Sequence, residues 1–521
     1  MAFGTYPEVF SFVRRADIIG AETSGCSAAQ KEQNMDEKQI RKRNLWYFPL
    51  GTVGRDMVYV LITNYLLIFA MFTRELTNPQ LAAISAIMVA ARIFDGLNDP
   101  IMGNIIERTR TRWGKFKPWL LAGALSTTLV IIFLFNNSLQ GWPFIWAFGV
   151  CYFLFSITYT MNDISYWGMI PALGSDANAR NQFTSRATLF AGIGSTLASM
   201  LIPMLTAGAM TLGGNTRTAY GIIAIIIGIL APVFLLFTLL GVRENRDDMA
   251  TKPQPLSFKK IISTITGNDQ LLWIALCFLI QQIGNNIILG GLGSTYIYFS
   301  YGYRGGLYSL FSTVGVSVTA LLMIFYPVIT RHMTRKKLMK VLLLVAVIGY
   351  VLMIASMALS GMAGFWVLTI GYMLGSFGQY GFYLIMMISI LNTVEYNEYK
   401  RGTRDEAIIA SLRPFLTKLG SAISVLATSL TFMIFRVNSI TNQISSLENA
   451  ANVGSITEEQ KLAQIDAVLA GVEKGQTTGL LLVMVILSCV MLCISFFIYQ
   501  KRYKIDETEY DRICAELAAR K

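Results

Sequence analysis

Two carboxylates stand four residues apart inside an apolar run, Asp95 and Asp99 in ARIFDGLNDPIMG. On a helix that spacing puts them on one face. An ionisable residue inside a membrane span costs roughly 2.5–3.5 kcal/mol. Two carboxylates about 6 Å apart, at an effective dielectric of about 20, repel by a further ~3 kcal/mol. Such a pair needs a proton, a metal cation or a basic side chain, and it is a candidate cation site. The plainer alternative is an ion pair with Arg92, one turn earlier, or with a Lys, that only orients helices.

A second constellation lies in YFLFSITYTMNDISYWGMIPALG. Tyr159 and Thr160 precede Asp163 by one turn and Trp167 follows by one, so all face one way. A carboxylate beside an aromatic plate suits a sugar: the acid accepts from hydroxyls and the ring covers the C–H face. Ordinary packing is the alternative for Trp167. Asp56 follows Arg55 in the first apolar run. Lys418, in RPFLTKLGSAISVLATSL, should seek carboxylates, and Asp95, Asp99 and Asp163 are available. It is expected near that acidic cluster, with snorkelling to an interface as the alternative. Arg186, in FTSRATLF, is placed to reach a sugar or a phospholipid head group. Glu395, Tyr396 and the basic run to Arg404 are expected to form salt bridges of a gate between two halves.

The elements that must position these residues are read from composition. Of 521 residues, 54% are hydrophobic and only 14% charged, and mean hydropathy is +0.51. This is an all-α polytopic membrane protein. About twelve apolar segments satisfy the rule of roughly 20 residues per span. Lys and Arg collect in alternate loops, around residues 38–43, 108–117, 243–260, 331–337, 400–404 and 501–504. The positive-inside rule then puts both termini in the cytoplasm. It also accounts for the net charge of +12 without nucleic acid. The turn RTRTRWGK after the second span has a weaker echo, ITRHMTRKK, after the eighth. That repeat predicts two pseudo-symmetric six-helix bundles. The expected division is a tail at 1–44, a bundle at 45–241, a cytoplasmic loop at 242–270, a bundle at 271–500 with a long external loop at 436–476, and a tail at 501–521. Residues 1–34 are expected to be dispensable. The long loop should carry a short helix started by Thr457, and YKIDETEYDRICAELAAR an amphipathic one.

Other chemistries find little support. The six Cys form no CxxC and read as packing residues. His332 is the only His and sits in a basic loop. No GxxxxGK[ST] phosphate loop appears, which argues against an ATP-driven pump.

Five stretches together resemble the glycoside–pentoside–hexuronide:cation symporters of the major facilitator superfamily: RIFDGLNDPIMG, RTRTRWGKFKPW, YTMNDISYWGMIP, VEYNEYKRGTRDEA and TKLGSA. The resemblance covers the chain from about Met35 to the tail. It implies a cation site at Asp95, Asp99, Thr160 and Asp163, holding Na+ on the three acids if sodium is the coupling ion. It implies a sugar site at Arg55, Asp56, Asp163, Trp167, Arg186 and Lys418, to which the face shared with Asp163 adds Tyr159. Tyr383 would fall where the family pattern has a pocket Trp, which is a departure. The expected activity is symport of a glycoside, oligosaccharide, pentoside or hexuronide with Na+ or H+ by alternating access. The expected setting is the cell membrane, in a multi-pass monomer with no cofactor beyond the coupling ion and no enzyme activity. The rivals are an uncoupled sugar facilitator and a transporter-like sugar receptor.

Overall fold

The computed structural model describes residues 28–173, 177–242 and 258–520. Residues 1–27 of the expected N-terminal tail and 243–257 of the expected central loop lie outside the described residues. Eleven described helices are long and apolar enough to cross a membrane, or twelve when Asn78–Gly96 and Asn98–Arg108, bent by 42°, count as one span. The first six are α1 Gln39–Thr73, α2 Asn78–Arg108, α3 Lys117–Asn136, α4 Gly141–Leu173, α5 Ala177–Thr206 and α6 Thr216–Gly241. The next five are α7 Asp269–Tyr301, α8 Gly305–His332, α9 Arg335–Ala358, α10 Gly361–Arg401 and α11 Glu406–Ile434. Two short helices follow, α12 Val437–Asn452 and α13 Glu458–Ala470. The last span is α14 Lys474–Arg502, and α15 Glu507–Arg520 closes the chain.

Local chemistry explains the boundaries. Thr77 and Gln80 form a capping box at the start of α2, as Thr457 and Gln460 do for α13, each satisfying otherwise orphaned N–H groups. Asn215 and Asn268 cap α6 and α7. The bend in α2 follows from Pro100, whose ring opposes the carbonyl four residues back, at Gly96. It falls between Asp95 and Asp99. Helices α1 and α7 each contain one π-helical turn, at Leu61–Tyr65 and Ile288–Leu292. In α7 this turn breaks at Gly291, with φ 118°.

Spans α1–α6 pack mainly on one another, as do α7–α11 with α14. Between the groups, α2 meets α11, α5 meets α8, and the two π-helical turns touch. The second span of each group thus lies against the fifth of the other. Around the outside, large apolar side chains stay exposed, among them Leu240, Trp146 and Leu129, as lipid contact requires.

The ends of the bundle differ. At the basic end, α15 buries Ile513 and Leu517 and ties its start to α9 through Arg335–Glu507 at 3.0 Å and Lys336–Asp506 at 3.3 Å. At the far end the two groups are joined. The Gly305 N–H donates to the Ala207 carbonyl at 3.0 Å, and a Cβ at Gly305 would collide with the Pro203 carbonyl. Helix α12 lies across this junction. Its Asn442 bonds the Leu76 backbone in both directions, each at 3.0 Å, and its Glu448 accepts from the Thr216 N–H at 2.8 Å. Lys461 of α13 meets Glu448 at 3.4 Å, with both side chains fully buried.

The salt bridges expected between halves at the basic end take another form. Arg404 pairs with Glu395, Glu398 and Glu406 at 2.7, 3.0 and 3.4 Å, all on α10 and α11. The short α10–α11 turn folds Arg404 back onto the last turns of α10, so these contacts stay within one group. Tyr396 likewise donates to Asp269 of α7 at 2.9 Å.

Candidate functional site

Helices α1, α2, α4 and α11 converge on two linked charge clusters. In the first, the Lys418 ammonium of α11 stands 2.6 Å from Asp99 Oδ2 and 3.9 Å from Asp95 Oδ2. Arg92 Nη1 pairs with Asp95 at 3.4 Å. From α4, Thr160 donates to Asp99 Oδ1 at 3.1 Å and Ser156 donates to Asp95. The close crossing of α2 and α11 that brings Lys418 in depends on Gly96. A Cβ there would lie 2.5 Å from the Phe415 ring.

In the second cluster, buried Arg55 of α1 reaches Asp56 Oδ2 at 2.9 Å and Asp163 Oδ1 of α4 at 3.1 Å. Thr52, one turn earlier, also donates to Asp56. The Asp163 side chain keeps 35% of its surface exposed. Aromatic rings wall this cluster. The Tyr59 and Tyr159 rings stack at 5.5 Å. The Arg55 guanidinium lies 4.6 Å from the Tyr166 centroid and 5.2 Å from that of Trp167.

Helix α4 joins the clusters. Thr160 and Asp163 are three residues apart, and one contacts Asp99 while the other contacts Arg55. Among the described residues no three His, Cys, Asp or Glu side chains gather as a metal-binding group. The expected trio of acids divides accordingly: Asp95 and Asp99 share Lys418, and Asp163 turns to Arg55. The Lys418 ammonium stands between those two carboxylates.

Two expected pocket residues make other contacts. Arg186 donates to the Leu45 carbonyl at 3.3 Å and covers the Trp46 ring at 5.2 Å. Leu45 is ten residues before Arg55 on α1, about 15 Å along the helix, so Arg186 is anchored nearer the basic end. Tyr383 of α10 stacks on Tyr380 at 5.6 Å and accepts from Arg413 at 3.3 Å. Ser156, Thr52, Tyr166 and Arg413 escaped the sequence reading. Ser156 carried a usable signal, since it precedes Thr160 by one turn on the same face.

The family described as MFS/sugar transport protein matches residues 47–507. Among curated relatives, a lactose permease of Leuconostoc lactis is 30% identical over 401 residues, covering 72% of this chain and 60% of its own. A raffinose carrier protein of Pediococcus pentosaceus is 27% identical, covering 94% of this chain and 72% of its own. An isoprimeverose transporter of Lactiplantibacillus pentosus is 24% identical, covering 74% and 78%. The chain therefore spans about 60% of the lactose permease's length. Two solved structures share the fold. A bacterial homologue of the human lysosomal transporter Spinster, inward-facing and unoccupied, superposes with a TM-score of 0.59 at 13% identity, covering 89% of this chain and 96% of that one. A D-xylose–proton symporter superposes with a TM-score of 0.56 at 12% identity, covering 84% and 99%. The chain belongs to the MFS/sugar transport protein family, within which its motifs are those of the glycoside–pentoside–hexuronide:cation symporters.

Proposed function

We propose that this chain is a sugar:cation symporter whose coupling runs through one turn of α4. Asp95, Asp99, Thr160 and Asp163 serve the cation, and Arg55, Asp56, Tyr159, Asp163 and Trp167 serve the sugar. The observation that carries the reading is the pair of contacts Thr160–Asp99 and Asp163–Arg55, both at 3.1 Å. A cation entering between Asp95 and Asp99 displaces the Lys418 ammonium and draws on Thr160. The shift in α4 frees Asp163 and Arg55 to bond sugar hydroxyls. By linkage, sugar then strengthens cation binding equally. Na+ and H+ both suit the acids. The basic end faces the cytoplasm in this reading, by the distribution of Lys and Arg, and the joined far end makes this an inward-facing state. An inward cation gains roughly 2.3 kcal/mol per 100 mV, enough to concentrate sugar about 50-fold.

An uncoupled facilitator is the second reading, favoured by Lys418 already neutralising the acids. Thermal unfolding of the purified protein with a sugar panel, with and without Na+, at two pH values, separates them. A ligand at about 100 times its Kd stabilises by ~2.7 kcal/mol. Sugar stabilisation that grows with Na+ supports sodium symport, and stabilisation that follows pH supports proton symport. Stabilisation indifferent to both supports the facilitator. No response to any sugar overturns the sugar site.

A further inference from the structure

A cavity of about 310 Å³ opens between the two groups of spans, on the far-end side of the charge clusters. Thr63 and Asn64 line it from the π-helical turn of α1, and Asn285 and Asn286 from the turn preceding the break in α7. Ser421 of α11 and Ser376 of α10 face it from the other walls. None of its lining residues carries a charge. This distinguishes it sharply from the Arg55–Asp56–Asp163 cluster. Its position follows from the helices. Thr63 lies seven residues beyond Asp56 on α1, about 10 Å along the axis, and Ser421 lies three beyond Lys418 on α11, about 5 Å.

The lining is suited to hydroxyl groups. Planar amides offer a donor and an acceptor side by side, and serine hydroxyls offer both. Asn286 lines the cavity, and its Nδ2 has no hydrogen-bond partner. Gly290 and the Tyr372 and Tyr380 side chains add apolar surface, as the C–H faces of a pyranose require. The volume is at the lower end of the ~300–1,000 Å³ of small-molecule pockets, which fits one ring better than a whole oligosaccharide. A π-helical turn widens the helix and frees backbone groups, and such turns cluster at functional sites. Here two of them, one from each group of spans, meet at the same cavity.

We propose that this neutral compartment binds the second glycosyl unit of an uncharged oligosaccharide whose first unit sits at Arg55, Asp56 and Asp163. The proposal rests on the sugar-transport reading and narrows its substrate class to neutral di- and oligosaccharides. A uronate or sulfated second unit finds no cation in this lining to meet it.

The test compares methyl galactoside, lactose and raffinose as calorimetric titrants of the purified full-length chain. In the unaltered protein, lactose binds at least tenfold tighter than methyl galactoside. Asn286→Leu removes the amide at nearly constant size, and Ser421→Leu fills the compartment from the opposite wall. Both variants keep methyl galactoside affinity within about twofold and lose the disaccharide advantage. Should Asn286→Leu fail to fold, Ser421→Leu gives the same reading from another helix. Equal loss for all three sugars, or unchanged lactose affinity in a folded variant, overturns the second-unit site while leaving the first intact. No binding of any of the three to the unaltered protein overturns the sugar site on which this proposal rests, and the proposal with it.

Discussion

Lys418 donates to Asp99 across the boundary between the two groups of spans, Nζ to Oδ2 at 2.6 Å. The pair ties α2 to α11, two helices that must shift against each other if the groups rock around a central site. With 18% and 27% of their side-chain surface exposed, both partners are near enough to water for the bond to exchange.

Replacing either acid should break coupling before it breaks sugar binding. Asp95→Cys or Asp99→Cys is expected to abolish cation-driven accumulation in membrane vesicles, a loss of about 50-fold at 100 mV. Sugar exchange down its own gradient should persist. Normal accumulation in both variants would remove the cation site from these residues.

Removing the internal ammonium should make the acids more dependent on an added cation. In Lys418→Met, Asp95 retains Arg92 at 3.4 Å but Asp99 keeps only Thr160. The cation concentration for half-maximal sugar binding should fall by about tenfold, which is ~1.4 kcal/mol. Titration of sugar binding against Na+ and against pH measures it. An unchanged midpoint for both ions would show that the ammonium does not compete.

Asp163→Ala should weaken both ligands at once, because the variant leaves Arg55 with Asp56 alone and removes an oxygen from the α4 turn. A loss of at least tenfold in sugar affinity is expected, with reduced cation dependence of what remains. Calorimetry of sugar with and without Na+ reads both. Loss of only one would separate the sites that α4 is argued to join.

The buried pair on the far-end helices predicts a stability effect far from the site. Glu448 and Lys461 are both 0% exposed, so leaving either without its partner costs roughly 3–5 kcal/mol. Lys461→Met should unfasten α12 and α13 from the far ends of α1 and α6 and raise thiol labelling of a cysteine placed at Asn442. Adding Glu448→Leu should restore much of the loss, since two apolar residues leave no stranded charge. Equal labelling in the single and double variants would contradict this account.

The junction of α15 with α9 should loosen in acid. Burial alone would raise the Glu507 carboxyl, but the Arg335 backbone N–H and guanidinium hold it below its ordinary value of 4.5. A depressed carboxyl contributes stability above the ordinary value and loses it as pH falls through the depressed one. Hydrogen exchange of residues 507–520 should therefore accelerate below about pH 4.5, and Glu507→Gln should remove that dependence. Exchange insensitive to pH in the unaltered protein, after correction for intrinsic rates, would refute it.

Much of this molecule is written locally. Hydropathy alone marks the spans, because each must satisfy its own backbone in lipid. The four-residue spacing of Asp95 and Asp99, and the shared face of Thr160 and Asp163, follow from helix geometry. The Thr457–Gln460 box starts α13 where the sequence pattern places it, because capping involves only neighbours in the chain. The motif resemblance likewise rests on short stretches in a fixed order, and it led to the family that the match over residues 47–507 establishes.

Partnership across helices is where local pattern stops. Three buried or half-buried bases, Arg55, Arg92 and Lys418, compete for four acids, and reach after packing decides the pairing. That reach depends on close approaches such as Gly96 on Phe415 and on the bend that Pro100 puts between Asp95 and Asp99. Neither sets a spacing that can be read along the chain. Arg404 was free in the sequence to bridge two halves, yet a tight turn commits it to its own. Arg186 is held by Trp46 instead of the Arg55–Asp163 cluster, through a contact made 140 residues away. The sequence by itself determined a multi-span carrier with acids at fixed intervals. Only the tertiary structure decided which base answers which acid and that a neutral cavity lies beyond them, since both depend on how helices rotate and cross.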